Sequence, residues 1–365
     1  MNQKTISRKF LSCMALGTAI VLTNMAMAKD LVRVCDAPGT GQPLAAKTDA
    51  KGVIHLVMNS PEGPLYSSSV DNGQSFSTPV SVLVDAPMKP GLEYLAWDMT
   101  VSPDGHVHVA MGTNAWKLKL PKDEWGFFYA RLAPGHSSFS KLQNINHQPS
   151  EGFSLAANKN GDVTACWLAE KLYANVSHDN GLTFGKTIEI NPEINPCNCC
   201  TTSATYGVDG RLAILYREET RNERDMHLVL WNQKDNSVVR SLVSQESWTI
   251  DTCPMTYYSI TPDGNGYLAV WPTKGPIYFN RLSADGKLMM PREVKTPGTT
   301  GMRTGMIGLQ TADESTLVAW VKDEKIGWQA YDSSGGALGS SHSESCSGKG
   351  VAGVVTTSGE FLLFR

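Results

Sequence analysis

"DVTACWL", residues 162–168, is a short run of apolar and β-favouring side chains behind a Gly-Asp turn. It has no helical period and reads as a strand. The run also returns along the chain. "VIHLVM" (53–58), "HVHVAMG" (106–112), "RLAILYR" (211–217), "GYLAVWP" (266–272), "STLVAWV" (315–321) and "EFLLFR" (360–365) recur at intervals of about 50 residues. Each follows a Gly/Asp-type turn and has a partner strand just upstream. Seven such units predict an all-β chain folded as a β-propeller.

The first six units continue into a third and usually a fourth strand, as in "PLYSSSVD" (64–71) followed by "PVSVLV" (79–84). The seventh stops at Arg365 after two strands, while "LVRVC" (31–35) has no partner of its own. That strand is expected to complete the last blade, so that both ends of the chain close the ring and no sheet edge stays open. Seven blades is the expectation and six the alternative. A two-sheet sandwich is disfavoured, because sandwiches do not repeat at this period.

Composition fits an exported globular protein. The chain has 365 residues, 41% hydrophobic and 18% charged, with a net charge of -3. No basic field points to nucleic acid, and no charge run points to a disordered tail. Lys4, Arg8 and Lys9, the apolar stretch from Phe10 to about Leu22, and the small residues Ala26 to Ala28 read as a signal peptide over residues 1–28. The mature chain, 29–365, is then one propeller domain beginning near Lys29, periplasmic or secreted. Cys13 lies too close to the last charge for a lipoprotein signal, and no later apolar run is long enough to span a membrane.

Two segments, "SVDNGQSF" (69–76) and "SHDNGLTF" (177–184), fit S-x-D-x-G-x-[ST]-F at the same point of their repeats. They resemble the Asp box of the sialidase-like (BNR-repeat) propellers. The resemblance implies turns in which Asp71 and Asp179 accept backbone N–H bonds, with Gly73 and Gly181 at the bend and Phe76 and Phe184 packed inward. The Asp box occurs in enzymes and non-enzymes of that superfamily, so it implies fold and not activity.

Strand alternation puts the interblade links and the loops between second and third strands on one face, and the Asp-box turns on the other. The link before blade 4 reads "INPCNCC", with Cys197, Cys199 and Cys200; the link before blade 5 holds Cys253 and Met255. Met302, Arg303 and Met306 occupy the link before blade 6. The blade 4 loop "YREETRNERDMH" opens on the same face and holds Arg217, Glu218, Arg224 and Asp225. The combination of Cys197/Cys199/Cys200, Tyr216-Arg217-Glu218, Arg224-Asp225-Met226 and Cys253-Pro254 resembles a group of bacterial exported sialidase-like repeat proteins, which brings no secure activity with it.

Three readings of this face stay open. Soft thiolates and Met favour a metal ion, copper(I) or zinc, on Cys197, Cys199, Cys200, Cys253 and Met255. Disulfides are the plain alternative: Cys253 to one of the three, and Cys35 to Cys346. Redox-active thiol chemistry is the third. Seven cysteines follow the signal peptide, an odd number that leaves one thiol over. Cys166, inside an apolar strand, reads as a small buried hydrophobe.

Resemblance to sialidases implies a different site: three arginines for a carboxylate, a tyrosine nucleophile and an acid/base. Arg217, Arg224, Arg303, Tyr257 (or Tyr258), Glu218 and Asp225 are the candidates, for hydrolysis or for binding an anionic glycan. The family's early Arg-Ile-Pro element is missing; "LVRVCDAPG" (31–39) is the nearest segment. A protein partner on the loop face is a further candidate, through "TNAWKLKLPKDEWG" (113–126) with Trp116 and Trp125.

Overall fold

The runs that recur in the sequence are buried because each is covered on both sides. In the computed structural model, which describes residues 31–365 apart from 88 and 265, all seven form the second strand of a sheet. The run at 163–169 is buried over six consecutive positions, and that at 212–217 over its whole length. Such continuous burial needs a neighbouring sheet on each face, and a ring of blades supplies it. Trp167, Trp231 and Trp271 fill the gaps between blades and are at most 1% exposed. The outermost strands alternate or are exposed, as at Ser237–Leu242 and His342–Ser345.

Seven sheets make the ring, six of them four-stranded meanders in chain order. The innermost strands, among them Tyr94–Val101, Glu151–Ala157, Thr202–Tyr206 and Ser259–Asp263, surround the axis. The seventh blade has three strands: Ala352–Val355, Phe361–Phe364 and, from the other end of the chain, Val32–Cys35. The expected closure by both ends is therefore present. The added strand runs parallel to its partner, with Val32 opposite Phe361 and Cys35 opposite Phe364. Phe361 N–H donates to Leu31 O (2.8 Å) and Arg365 N–H to Cys35 O (3.0 Å). Arg33 pins the strand sideways, pairing with Glu360 at 3.1 Å and donating to Gly73 O in blade 1 at 3.2 Å.

At the two repeated turns, Asp71 Oδ1 accepts N–H bonds from Gln74 and Ser75 at 3.0 and 2.9 Å, and Asp179 Oδ1 accepts that of Thr183 at 2.9 Å. Gly73 and Gly181 lie at φ +75° and +76°. Phe76 packs edge-on against Phe364 and Phe184 against Tyr129, with ring centroids 5.5 and 4.9 Å apart. Hydrogen bonding to Ser75, side chain before backbone, holds the Asp71 carboxyl below the usual range.

One expected disulfide is absent: Cys35 and Cys346 are both free. The closing blade separates them. Cys35 packs toward Ile54 and Leu56 of blade 1, and Cys346 toward Leu309 and Leu317 of blade 6. Cys166 is fully buried and free. The segment read as a signal peptide, residues 1–28, falls outside the described residues. No helix among them is long and apolar enough to cross a membrane.

Candidate functional site

The two cysteine-bearing links are held side by side by the charged loop of blade 4. That loop is a clamp and not a solvated hairpin. On one side Glu219 N–H donates to Asn195 O (2.7 Å) and Cys197 N–H to Arg217 O (2.8 Å). On the other, Arg224 N–H donates to Trp248 O (2.8 Å) and Ile250 N–H to Asn222 O (2.9 Å). Glu218 accepts Asn195 N–H at 3.1 Å, the Tyr216 hydroxyl at 2.6 Å and an Arg240 N–H at 2.9 Å. Asp225 Oδ1 accepts the N–H of Trp248 at 2.8 Å.

Arg217 is the centre of the clamp. It closes a strand that is buried throughout, and it is itself 1% exposed. Its guanidinium donates to Pro272 O at 2.6 Å and to Arg224 O, and lies over the Trp248 ring at 4.9 Å. Carbonyl dipoles and a π face thus stand in for a carboxylate. Burial lowers its pKa from the ordinary arginine value.

The sulfurs converge on this support. Cys199 and Cys253 form a disulfide, while Cys197 and Cys200 remain thiols. Cys197 Sγ lies 3.5 Å from Cys253 Sγ and 3.3 Å from Cys200 Sγ. Arg224 donates to Cys197 Sγ at 3.0 Å. The Sγ atoms of Cys197, Cys199 and Cys253 all fall within 4.8 Å of one another. Cys197 and Cys200 are buried, and the disulfide partners are half-buried. The hydrogen bond with Cys197 and, after it, the buried Arg217 charge pull the Cys200 thiol down to about 6, against its burial. The same hydrogen bond and burial push Cys197 up.

Of the readings left open by the sequence, the disulfide from Cys253 to one of the three blade 4 cysteines is present, to Cys199, and the metal reading requires that bond to be reduced. Met255 enters through its backbone: at φ +46° it accepts the N–H of Arg303 at 2.9 Å, and Arg303 has φ +54°. Both links are thus held in a conformation that side-chain-bearing residues rarely adopt. Met302 is 63% exposed, and Met306 packs in the core between blades 5 and 6.

Beside the cluster the axis opens into a cavity of about 140 Å³. Trp97, Phe153, Tyr257 and Tyr258 give it aromatic walls, and Lys47 and Asp98 give it charge. Asp98 accepts the N–H of Leu155 and of Met99, each at 2.8 Å. Burial raises its carboxyl to about 6, more than the Lys47 charge and these bonds lower it. Tyr258 joins cavity to clamp: its hydroxyl donates to Thr201 O and accepts Arg217 N–H at 3.2 Å.

Of the residues read as a hydrolase set, only Tyr257 and its alternative Tyr258 line this cavity. Arg217, Arg224, Glu218 and Asp225 are engaged in the clamp. Arg303 stands apart from them, paired with Glu151 at 3.4 Å and placed over Trp97 at 5.8 Å. In the blade 2 loop, Trp116 is 60% exposed and carries Lys117 over its ring, while Trp125 Nε1 donates to Leu120 O. Sequence reasoning missed Asp98, Trp97, Trp248 and Arg240. No motif marks them, although an aspartate inside "EYLAWDMT" (93–100) is a polar residue on an innermost strand.

Fold and site together define a seven-bladed β-propeller with a sulfur cluster beside the mouth of its channel. No protein-family profile and no curated protein matches the sequence. Solved structures are similar to it. A chain of the mitotic checkpoint complex superposes with a TM-score of 0.55 and 11% identity, over 98% of this chain and 90% of that one. The lectin of Aleuria aurantia, a six-bladed propeller that recognises fucose, gives 0.52 and 12%, over 83% and 95%. A mutant of the NanB sialidase of Streptococcus pneumoniae gives 0.51 and 8%, over 80% and 67%. At these identities the likeness is one of fold.

Proposed function

We propose that this is an exported β-propeller that holds a soft metal ion, copper(I) before zinc, on the sulfurs of Cys197, Cys199, Cys200 and Cys253 when all four are thiols. The supporting observation is convergence. Three Sγ atoms lie within 4.8 Å of one another, and Cys200 Sγ is 3.3 Å from that of Cys197. Three thiolates from the blade 4 link plus one from the neighbouring blade 5 link provide the tetrahedral or lower coordination that these ions take. The Cys199–Cys253 disulfide is then the oxidised, metal-free form, and Met255 is a ligand only if its backbone turn reorients. Arg217 and Arg224 offset the charge of the thiolates.

The test is metal analysis and a free-thiol count on protein taken from its native compartment, followed by titration under reducing conditions. Copper(I) at a hundredfold excess over its dissociation constant adds about 2.7 kcal/mol of stability. The melting temperature therefore rises, and Cys199→Ser removes the rise. An unchanged melting curve with both copper and zinc rejects the reading.

The cavity supports a second reading, a carbohydrate ligand. Aromatic walls flanking Asp98 and Lys47 suit the apolar face and hydroxyls of a sugar, and a lectin and a sialidase are among the proteins of similar fold. Hydrolysis is not expected, because two of the three arginines that would hold a sialic acid carboxylate, Arg217 and Arg224, are engaged in the clamp, and Arg303 stands apart, paired with Glu151. A fluorogenic sialoside should be left intact, whereas binding to a glycan array should weaken in Trp97→Ala. Turnover that disappears on replacing Arg303 would restore the hydrolase reading.

A further inference from the structure

Four sulfurs joined through Cys197 by short contacts can exchange partners as well as hold a metal, and here they divide into an outer and an inner pair. The outer pair, Cys199 and Cys253, is half-buried and bonded. The inner pair, Cys197 and Cys200, is at most 2% exposed and free. Cys197 stands between them, 3.5 Å from Cys253 Sγ and 3.3 Å from Cys200 Sγ. Both thiols sit where a nucleophilic sulfur meets a disulfide or a mixed disulfide without a large backbone movement. The inner pair also closes easily: Cys200 N–H already donates to Cys197 O at 3.0 Å, forming the turn of a C-x-x-C segment.

We propose that the four cysteines form an internal thiol–disulfide relay that carries an oxidising equivalent between the half-exposed Cys199–Cys253 pair and the buried Cys197–Cys200 pair. In the first step the Cys197 sulfur attacks Cys253 Sγ. The Cys199–Cys253 bond breaks, Cys197–Cys253 forms, and Cys199 leaves. The proton given up by Cys197 ends on Cys199 by way of solvent. In the second step the Cys200 sulfur attacks Cys197, the mixed disulfide breaks, Cys197–Cys200 forms, and Cys253 takes the proton. One disulfide and two thiols stand on each side, so no outside oxidant or reductant is consumed. Arg224, donating to Cys197 Sγ at 3.0 Å, holds the branch-point sulfur between Cys253 and Cys200. The outer pair is the port through which small thiols or disulfides exchange with the site, and the inner pair keeps the equivalent out of their reach.

The relay shares its sulfurs with the metal site but needs no metal, so the experiment uses the folded mature protein after chelator treatment. The oxidised protein is incubated with iodoacetamide, and its disulfides and alkylated cysteines are mapped by mass spectrometry over time. Each passage of the disulfide inward exposes Cys199 and Cys253 as thiols, where alkylation traps them. The expected result is carbamidomethylation of Cys199 and Cys253 with a Cys197–Cys200 disulfide in the same molecules. In Cys200→Ala the relay stops halfway, giving alkylated Cys199 with a Cys197–Cys253 bond. In Cys197→Ser neither outer cysteine is modified. If the wild-type protein keeps Cys199–Cys253 intact, with alkylation confined to Cys197 or Cys200 or absent, the relay is overturned. Copper or zinc binding in the reduced protein is untouched by that outcome.

Discussion

Replacing Arg217 with methionine tests the clamp directly. Methionine keeps an unbranched chain of similar reach and removes the charge and every donor. The buried carbonyl of Pro272 and the half-buried carbonyl of Arg224 lose their partner, at about 1–3 kcal/mol each at most. The contact with the Trp248 ring, at 4.9 Å, adds about 0.5–2 kcal/mol. Against this stands relief from keeping a cation in a site 1% exposed, the burial that already lowers the Arg217 pKa. The balance is a destabilisation of about 2–4 kcal/mol, or about 3–6 °C in melting temperature for a chain of this size. Urea denaturation followed by tryptophan fluorescence measures the first quantity and calorimetry the second. A second readout separates the clamp from simple packing. Without the Arg217 charge the Cys200 thiol, drawn down to about 6 in part by that charge, titrates at higher pH in an ultraviolet thiolate titration. Arg217→Lys keeps the charge but not the fork, so it should lose stability with less change in thiol titration. A methionine variant as stable as the wild type within about 0.5 kcal/mol, with an unmoved thiol titration, refutes this account.

Removing residues 31–35 should destabilise the whole ring by about 2–4 kcal/mol, because the interstrand bonds at Leu31 and Cys35 and the Arg33–Glu360 pair go together; a truncated protein that melts like the intact one excludes the shared blade. Gly181→Ala should cost about 2–4 kcal/mol, since the residue has φ +76° and a Cβ there would sit 1.8 Å from the buried Tyr129 hydroxyl; a urea midpoint unchanged from the wild type contradicts it. Asp98 has a folded-state pKa near 6, above that of the unfolded chain. Its contribution is complete below pH about 4 and is lost as pH rises through 6. Asp98→Asn, which keeps an acceptor for Leu155 N–H, should therefore gain stability relative to wild type at pH 8 but not at pH 4. The gain should be about 1–2 kcal/mol after allowance for the open cavity, and equal differences at both pH values would sink the assignment.

The fold was legible because its signal is repeated. One buried strand is ambiguous, but seven at one spacing leave few architectures. The closing role of "LVRVC" followed from an unpaired strand at one end and a missing one at the other. Its parallel direction did not follow, because direction depends on how the chain passes from the last blade into the first. At the site, the sequence placed Cys197, Cys199, Cys200 and Cys253 on neighbouring links but could not choose among pairings, which turn on ångström differences between loops. The charges of "YREETRNERDMH" look like solvated polarity in a linear reading. The burial of Arg217 among them, against Trp248 and Pro272, comes from segments 31 and 55 positions further on, contacts that no local pattern encodes.

The parallel zipper in the seventh blade sets an order of events during synthesis. Val32 pairs with Phe361, so a strand that leaves the ribosome near the start must wait, with its backbone unsatisfied, until the final strands follow it. Joining ends 329 residues apart costs about 5 kcal/mol in chain entropy if nothing between them is ordered, and far less once six blades have stacked. Folding during synthesis favours the second route. Blades fold one by one as they emerge, each templating the next, and the waiting strand docks last. Until then the last blade shows a bare strand edge at Phe361–Phe364. The ring is thus most exposed to aggregation and proteolysis just before its last few residues arrive, and substitutions in Leu31 to Cys35 should lower the yield of folded protein more than they lower the melting temperature of the molecules that close.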